Sequence, residues 1–195
     1  MLQTVLGLDA ERIGAAFLVP GPTMGQRLSR AKAKIRLAGI PFETPSPDAL
    51  PDRLADVLSA IYAAYGTGWD MIGGAEDDGT GLTREAVFLA RLVADMMPGE
   101  PEPKGLLALI LYCEARRPAR RGPDGAYVPL AEQDRALWLE EMVIEAEGVL
   151  RAAAALRRPG RFQSEAAIQS LHAVTPRVQA PDPRALAALY DLLVS

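Results

Sequence analysis

Apolar residues recur at helical spacing through most of this chain, and this pattern constrains the fold more than any other feature. One segment shows it clearly, with apolar residues at i, i+3, i+4, i+7, i+8 and i+11: Leu54, Val57, Leu58, Ile61, Tyr62 and Tyr65. That spacing places the side chains on one face of an α-helix. The alternation that indicates strands is absent, and runs rich in Val, Ile and Thr are few. The sequence therefore predicts an all-α fold.

Clusters of Pro and Gly divide the chain. The segment GIPFETPSPDALP, at 39–51, carries four prolines and is typical of a linker. It predicts three parts: a helix-turn-helix segment at 1–39, a Pro-rich linker at 40–50 and a helical extension at 51–195. The segment GTGWDMIGGAEDDGTG, at 66–81, is predicted to be a flexible loop.

Within the extension, the broadly apolar segments 82–97 and 106–113 are predicted to form the most buried helices. Two units of helix, Pro-Gly and helix also occur, and their Pro-Gly pairs at 98–99 and 159–160 lie 61 residues apart. This distance differs from the tetratricopeptide period of about 34 residues. The pattern indicates stacked helical hairpins without a regular repeat.

The composition argues against membrane insertion and disulfide bonding. The longest apolar run, Leu106–Cys113, has eight residues, whereas a membrane helix needs about 20. Residues 1–30 lack the charged and then apolar pattern of a signal peptide. Cys113 is the only cysteine, so no internal disulfide can form. A reduced, cytoplasmic location without membrane association is predicted.

Positive charge is concentrated near the N-terminus of an otherwise acidic chain. Residues 1–41 contain six basic and two acidic residues, a net charge of +4. The remaining 15 basic and 23 acidic residues give 42–195 a net charge of −8. Such asymmetry predicts that the N-terminal part meets a polyanion.

The basic stretch lies in a predicted pair of helices. Asp9 is suited to cap a helix that runs to about Leu18, and Val19-Pro20-Gly21 breaks it. A second helix with Pro22 at its first position runs to about Ala38 and stops at Gly39. Helix, short turn and helix is the arrangement of a helix-turn-helix motif.

The second predicted helix has two distinct faces. Its inward face is predicted to hold Met24, Leu28, Ala31 and Ile35. Another face carries side chains able to bind base edges or phosphates, and we call it the recognition face: Thr23, Gln26, Arg27, Arg30 and Lys34. The alternative is a solvated amphipathic helix with an incidental basic face.

The segment ERIGAAFLVPGPTMGQRLSRAKAKIR resembles region 4.2 of bacterial extracytoplasmic-function sigma factors. The matching positions are Ile13, Val19, Pro20, Thr23, Met24, Arg27, Leu28, Arg30, Ala31 and Lys32. The resemblance implies that this helix reads the promoter −35 element. Where the wider family usually has glycine in the turn, this chain has Leu18. Because a non-glycine residue at positive φ is costly, we expect a slightly reshaped turn.

Further segments, including LPDRLADVLSAIYAAYGTGW, LLALILYCEARRPAR and GRFQSEAAIQSLHA, resemble the sigma-factor subgroup with a tetratricopeptide-like C-terminal extension. The resemblance implies three partners: promoter DNA, RNA polymerase core and a regulatory protein bound by the extension. Nothing corresponds to region 2, which in such factors binds polymerase and melts the −10 element. The chain is therefore expected to be a fragment, or a truncated gene product, of a longer sigma factor.

Other candidate sites have ordinary structural readings. His172 is the only histidine, which makes a metal site improbable, and Cys113 lies in the most apolar run and is predicted to belong to the core. The loop at 66–81 lacks a phosphate-binding motif and is acidic. In LAEQDRALW, at 130–138, the acids suggest helix capping, with a buried polar network as the alternative. We predict no enzymatic activity, catalytic residue, metal or cofactor.

Two other functions stay open: a stand-alone helical module that binds a protein or ligand without DNA, and an enzyme or ligand-binding protein with 66–81 as a lid.

The extension is also predicted to pack against the helix-turn-helix segment and to modulate its access to DNA. Opposite charges favour that docking. Three apolar linker residues, Ile40, Phe42 and Leu50, would anchor it, with Phe42 largely buried.

Overall fold

A computed structural model describes residues 1–39, 43, 45–70, 80–174 and 182–194. These residues form eight α-helices and no β-strand, apart from an isolated bridge between Arg121 and Tyr127. The predicted all-α fold is confirmed. In chain order the helices are α1 (Ala10–Ala16), α2 (Gly21–Leu37), α3 (Leu50–Asp70), α4 (Thr80–Met96), α5 (Pro101–Ala115), α6 (Glu140–Ala155), α7 (Arg161–Val174) and α8 (Pro183–Val194).

The chain divides into two compact units, Met1–Ala86 and Val87–Ser195. The predicted domain boundaries, at 1–39, 40–50 and 51–195, stay a prediction. No helix in the described ranges is long and apolar enough to cross a membrane.

A small apolar cluster forms a core of the first unit. It joins the N-terminal turn, α1, α2 and α3 through five buried residues: Leu2, Leu8, Ile13, Met24 and Ala64. From α3, Ala60 and Ala63 also pack against it. The sequence assigns α3 to the extension, so at least this helix of the extension contacts the helix-turn-helix segment. Of the predicted anchors, Leu50 begins α3, whereas Ile40 and Phe42 lie outside the described residues.

The predicted loop at 66–81 is wrong at both ends, because α3 continues to Asp70 and α4 begins at Thr80. Residues 71–79 lie outside the described residues. Contacts between nearby residues stabilise the last turns of α3 as a helix, although this segment contains glycines. Thr67 Oγ1 donates a hydrogen bond of 2.9 Å to the Ala63 carbonyl, and the rings of Tyr65 and Trp69 lie 5.6 Å apart. Such i,i+4 pairs support the last turns of a helix.

In the second unit, α5 is the central helix. Every residue from Leu106 to Tyr112 is buried, as predicted for this apolar run. The helix packs against α6 and α7. At its C-terminal end, the Ala115 carbonyl accepts a hydrogen bond of 2.8 Å from the Leu139 amide, just before α6 begins. At the other end, Glu100 pairs with Arg158, just after α6 ends. The helices α5 and α6 are therefore antiparallel.

A carboxylate on α5 caps the start of α7. Glu102 accepts hydrogen bonds of 3.0 and 3.2 Å from the amides of Phe162 and Gln163. Two glycines allow this approach. A Cβ on Gly160 would lie 2.4 Å from the Glu102 carboxyl carbon, and a Cβ on Gly105 would lie 2.6 Å from the Gln163 nitrogen. The corner after Pro159-Gly160 therefore packs the start of α7 against α5.

A second polar contact joins three helices. The Glu147 carboxylate of α6 accepts hydrogen bonds from the Tyr112 hydroxyl of α5 and the Ser170 hydroxyl of α7. Burial raises the pKa of Tyr112, and its hydrogen bond to Glu147 raises it further. Because Glu102 meets the start of α7 and Tyr112 approaches Ser170 near its end, α5 and α7 run parallel.

The prediction that α4 is among the most buried helices is wrong for its second half. Phe88, Leu92 and Met96 are 57%, 42% and 61% exposed. The small residues Ala90 and Ala94 are buried instead. Composition alone suggested a helix that is apolar all round, but packing covers only one side of it.

Ordinary capping explains part of the LAEQDRALW segment. Asp134 accepts a hydrogen bond of 2.9 Å from the Ala136 amide, which caps a short 3₁₀ turn at Arg135–Leu137. Gln133 is buried and donates a hydrogen bond of 3.0 Å to the Val128 carbonyl. This contact ties the segment to the preceding loop.

Candidate nucleic-acid interface

The helix α1 begins as the sequence predicts. Asp9 is its N-cap, and the carboxylate accepts a hydrogen bond of 2.8 Å from the Arg12 amide. The helix ends at Ala16, two residues before the predicted end. Its short length, about 10 Å at 1.5 Å per residue, limits how much of α2 it can cover.

The turn between α1 and α2 contains a residue in the left-handed conformation. Leu18 has φ 54° and is 95% exposed. Leu18 therefore adopts the costly left-handed conformation itself, and the expected reshaping of the turn stays a prediction. The conformation persists because the next residue is fixed: the Val19 amide donates a hydrogen bond of 2.8 Å to the Gly14 carbonyl.

A close backbone approach accompanies this turn. A Cβ on Gly14 would lie 2.4 Å from the Val19 carbonyl oxygen, which no side chain could accept without movement. Gly21, at the start of α2, lies close to Glu11. A Cβ added to Gly21 would be 3.4 Å from the Glu11 Cα. The two glycines therefore let α2 fold back closely against α1. The spacing of the two glycines in the sequence did not predict this contact.

The recognition face lies on α2, which extends from Gly21 to Leu37. All five of its side chains are exposed: Thr23, Gln26, Arg27, Arg30 and Lys34. At 100° per residue they occupy an arc of about 100° and span about 16 Å along the axis. In the described part of the chain, no hydrogen bond or ion pair joins any of them to another side chain. The structure therefore brings the predicted residues together on one solvated surface.

The start of α2 has no side-chain cap. Pro20 is its N-cap, and the first turn of the helix contains no acidic residue. An acidic residue of α1 nevertheless lies beside this terminus, because an added Cβ on Gly21 would be 3.5 Å from the Glu11 Cγ. The positive end of the helix dipole therefore already has an acidic side chain as a neighbour.

The predicted inward face of α2 is only half correct. Met24 is buried and Leu28 packs against the same core, but Ala31 is exposed and Ile35 is 52% exposed. The reason is geometric, because α2 is about 26 Å long and the seven-residue α1 covers only its first turns. Two further basic residues, Lys32 and Arg36, are exposed on the side of α2 opposite the recognition face.

Burial disfavours the charged forms of the two candidate reactive residues of the second unit. Burial raises the pKa of the Cys113 thiol, which disfavours the thiolate. Burial lowers the pKa of His172, and the positive charges of Arg135 and Arg116 lower it further. Among the residues that the structure describes, no group of three or more His, Cys, Asp or Glu side chains could hold a metal ion.

Comparisons with known proteins identify relatives but no activity. The model of a family of unknown function (DUF6596) matches residues 53–154. An uncharacterized protein of Rhizobium meliloti (strain 1021) is 42% identical over 192 residues, which is 98% of this chain. The chain spans only 45% of the length of that relative. No solved structure matches significantly.

Proposed function

For a chain that belongs to the DUF6596 family, we propose a role in transcription initiation, with the segment from α1 to α2 binding promoter DNA. The proposal is that of a sigma factor: the recognition face reads the −35 element, and the helical remainder acts as a regulatory or interaction module. It includes no enzymatic activity. RNA polymerase core is the proposed protein partner, on the basis of the resemblance to region 4.2.

The observation that carries the proposal is the position of Arg27, Arg30 and Lys34. They lie on one exposed side of α2, while Met24 on another side packs into the core. A helix held in this way presents its basic side to a groove of DNA. Thr23 and Gln26 lie near the N-terminal end, where a recognition helix contacts base edges.

Charge supports the same conclusion. Nucleic-acid binding depends largely on phosphate neutralisation, and residues 1–41 carry a net charge of +4 in a chain of net charge −4. The surface of the basic segment is therefore matched to a polyanion, although the whole chain is acidic.

The salt dependence of DNA binding tests the proposal. Each phosphate contact contributes about 0.9 to the magnitude of the slope of log K against log salt concentration. Replacing Arg27 and Arg30 by alanine should therefore reduce this magnitude by up to about 1.8. Fluorescence anisotropy with a short labelled duplex, titrated over a range of salt concentrations, measures the slope.

The same helix provides a matched control. Replacing Lys32 and Arg36 by alanine removes the same charge from the opposite side of α2. This control variant should keep most of the slope and affinity. Equal losses in the two double variants would indicate only non-specific attraction to a basic helix. An unchanged slope after Arg27→Ala and Arg30→Ala would show that the recognition face does not bind DNA.

Sequence selectivity is tested separately. Selection of binding sites from a pool of random duplexes should enrich one motif with the unaltered chain. Gln26→Ala should relax the preference at one position while the salt slope stays unchanged, because a base contact adds specificity without a phosphate contact. Failure to enrich any motif would argue against promoter reading.

A further inference from the structure

The part of α4 that belongs to the second unit has an unusually apolar exposed side. Phe88, Leu92 and Met96 follow one another at intervals of four residues and are 57%, 42% and 61% exposed. Residues at this spacing form a continuous stripe on a helix. Large apolar side chains that are exposed together, rather than singly, mark an interaction site.

The helix α6 lies beside α4. Arg91 of α4 donates a hydrogen bond of 2.9 Å from Nη2 to Glu145 Oε2 of α6, and the other ends of the two groups also pair. Each partner is adjacent in the chain to an exposed apolar residue. Leu92 follows Arg91, and Ile144, which is 64% exposed, precedes Glu145. We call Phe88, Leu92, Met96 and Ile144 the α4–α6 surface.

Acidic groups border this surface. Asp95 on α4 and Glu140 and Glu141 on α6 are exposed. The hydrogen bond to Glu145 raises the pKa of Arg91, and the nearby charge of Asp95 raises it further. Basic groups border it too, because Arg84 lies four residues before Phe88 and Arg151 lies seven residues after Ile144, and both are exposed, as is Glu85. With these residues, Arg91 and Glu145 included, the group contains five acids and three bases, a net charge of −2.

We propose that the α4–α6 surface binds a basic amphipathic helix of a protein partner. Its apolar side chains would cover the four anchors of the surface, and its Lys or Arg residues would meet the acidic border. A helix laid on an apolar surface is a common mode of recognition, and complementary charge selects the partner.

The charge of the surface distinguishes this occupant from others. A second copy of the chain would bring two surfaces of net charge −2 together, which like-charge repulsion disfavours. Nucleic acids and anionic lipids would be repelled for the same reason. The inference does not depend on the proposed DNA binding, because it concerns a different and oppositely charged surface.

A designed peptide tests the inference. The probe is a labelled Leu/Lys helix of about 14 residues, or about 21 Å, with leucines at i, i+3, i+4 and i+7. Two control peptides are used: one with Glu in place of every Lys, and one with the same composition in scrambled order. The full chain should bind the Leu/Lys helix and bind both controls at least tenfold more weakly.

Paired variants of the full chain locate the binding site. Leu92→Ser with Ile144→Ser should weaken binding of the Leu/Lys helix about tenfold or more, as loss of two anchor residues does in other interfaces. The matched control is Tyr190→Ser with Leu192→Ser on α8, where the side chains are 55% and 57% exposed. It should change binding less than twofold. Circular dichroism establishes that all variants are folded.

Each other outcome contradicts the inference. Equal weakening by the two pairs of variants, or equal binding of the Leu/Glu helix, would mean that the surface has no specific role in binding. Self-association that disappears in the Leu92→Ser and Ile144→Ser variant, without peptide binding, would identify a second copy as the occupant. Absence of peptide binding at any accessible concentration would also overturn the proposal.

Discussion

Replacing Leu18 by glycine should stabilise the first unit. Leu18 has φ 54°, a conformation that brings its Cβ too close to the following carbonyl. The side chain is 95% exposed, so its removal sacrifices almost no packing. Glycine adopts the same backbone conformation without this steric cost.

The expected gain follows from two opposing terms. An L-residue in the left-handed region costs about 1–2 kcal/mol relative to the right-handed one. Glycine loses more entropy on folding, which offsets about 0.4–1 kcal/mol of this. We therefore expect Leu18→Gly to raise the free energy of unfolding by about 0.5–1 kcal/mol. In urea, this corresponds to a midpoint shift of about 0.2–1 M.

The chain has two tryptophans, one in each unit, so fluorescence can report on the first unit alone. In a Trp138→Phe background, Trp69 of α3 monitors urea unfolding of that unit. Leu18→Ala should change stability by less than about 0.5 kcal/mol, because alanine keeps the Cβ. Leu37→Gly, at an 88% exposed position at the end of α2, should give no gain because its backbone is already helical.

These controls make the prediction refutable. If Leu18→Gly fails to stabilise the unit, or if Leu18→Ala stabilises it equally, then backbone strain at this turn is not the cause. A gain for Leu37→Gly as large as that for Leu18→Gly would refute the reasoning as well.

Three further predictions concern Gly14, Glu102 and His172. Gly14→Ala should destabilise the first unit by about 1–3 kcal/mol in urea unfolding, because its Cβ would meet a backbone oxygen. Glu102→Gln should cost the second unit about 1 kcal/mol, measured by Trp138 fluorescence in a Trp69→Phe background, because the charged cap of α7 is lost. The pKa of His172 is lowered in the folded state, so stability should fall as pH decreases through the unfolded pKa of about 6.5, and His172→Gln should reduce that fall.

Each of these predictions has its own control. Gly25→Ala on α2, where the added Cβ would have ordinary contact at 3.8 Å, should be neutral or stabilising, in contrast to Gly14→Ala. Glu132→Gln removes an exposed acid of the second unit and should cost little. Unfolding free energies that decrease equally with pH in the unaltered chain and in His172→Gln would exclude a contribution from this histidine.

Local patterns in the sequence were sufficient for the fold class and for much of the candidate interface. Asp9 caps α1, and α2 ends just before Gly39, as predicted. Capping and helical spacing depend on neighbours within one or two turns, so a single sequence contains that information. The exposure of the recognition face was predictable for the same reason, since charged side chains at helical spacing share one solvated side.

Burial along each helix could not be read from the same patterns. The sequence placed Ile35 on an inward face and α4 among the most buried helices, yet Ile35, Phe88 and Met96 are all more than half exposed. Periodicity gives the direction of a side chain around its helix, but not whether another helix reaches that position along the axis.

Contacts distant in sequence were decided only by the tertiary structure. Glu102 is an ordinary acid in the first turn of α5 until the fold brings it to the amides of Phe162 and Gln163, 60 and 61 residues away. The pair Arg91–Glu145 joins residues that are 54 positions apart. Helix propensity and capping act locally, whereas such pairs depend on how whole helices pack. The sequence by itself therefore determined the all-α fold class and which side of α2 is basic, and packing decided which carboxylate caps α7 and which apolar side chains stay exposed.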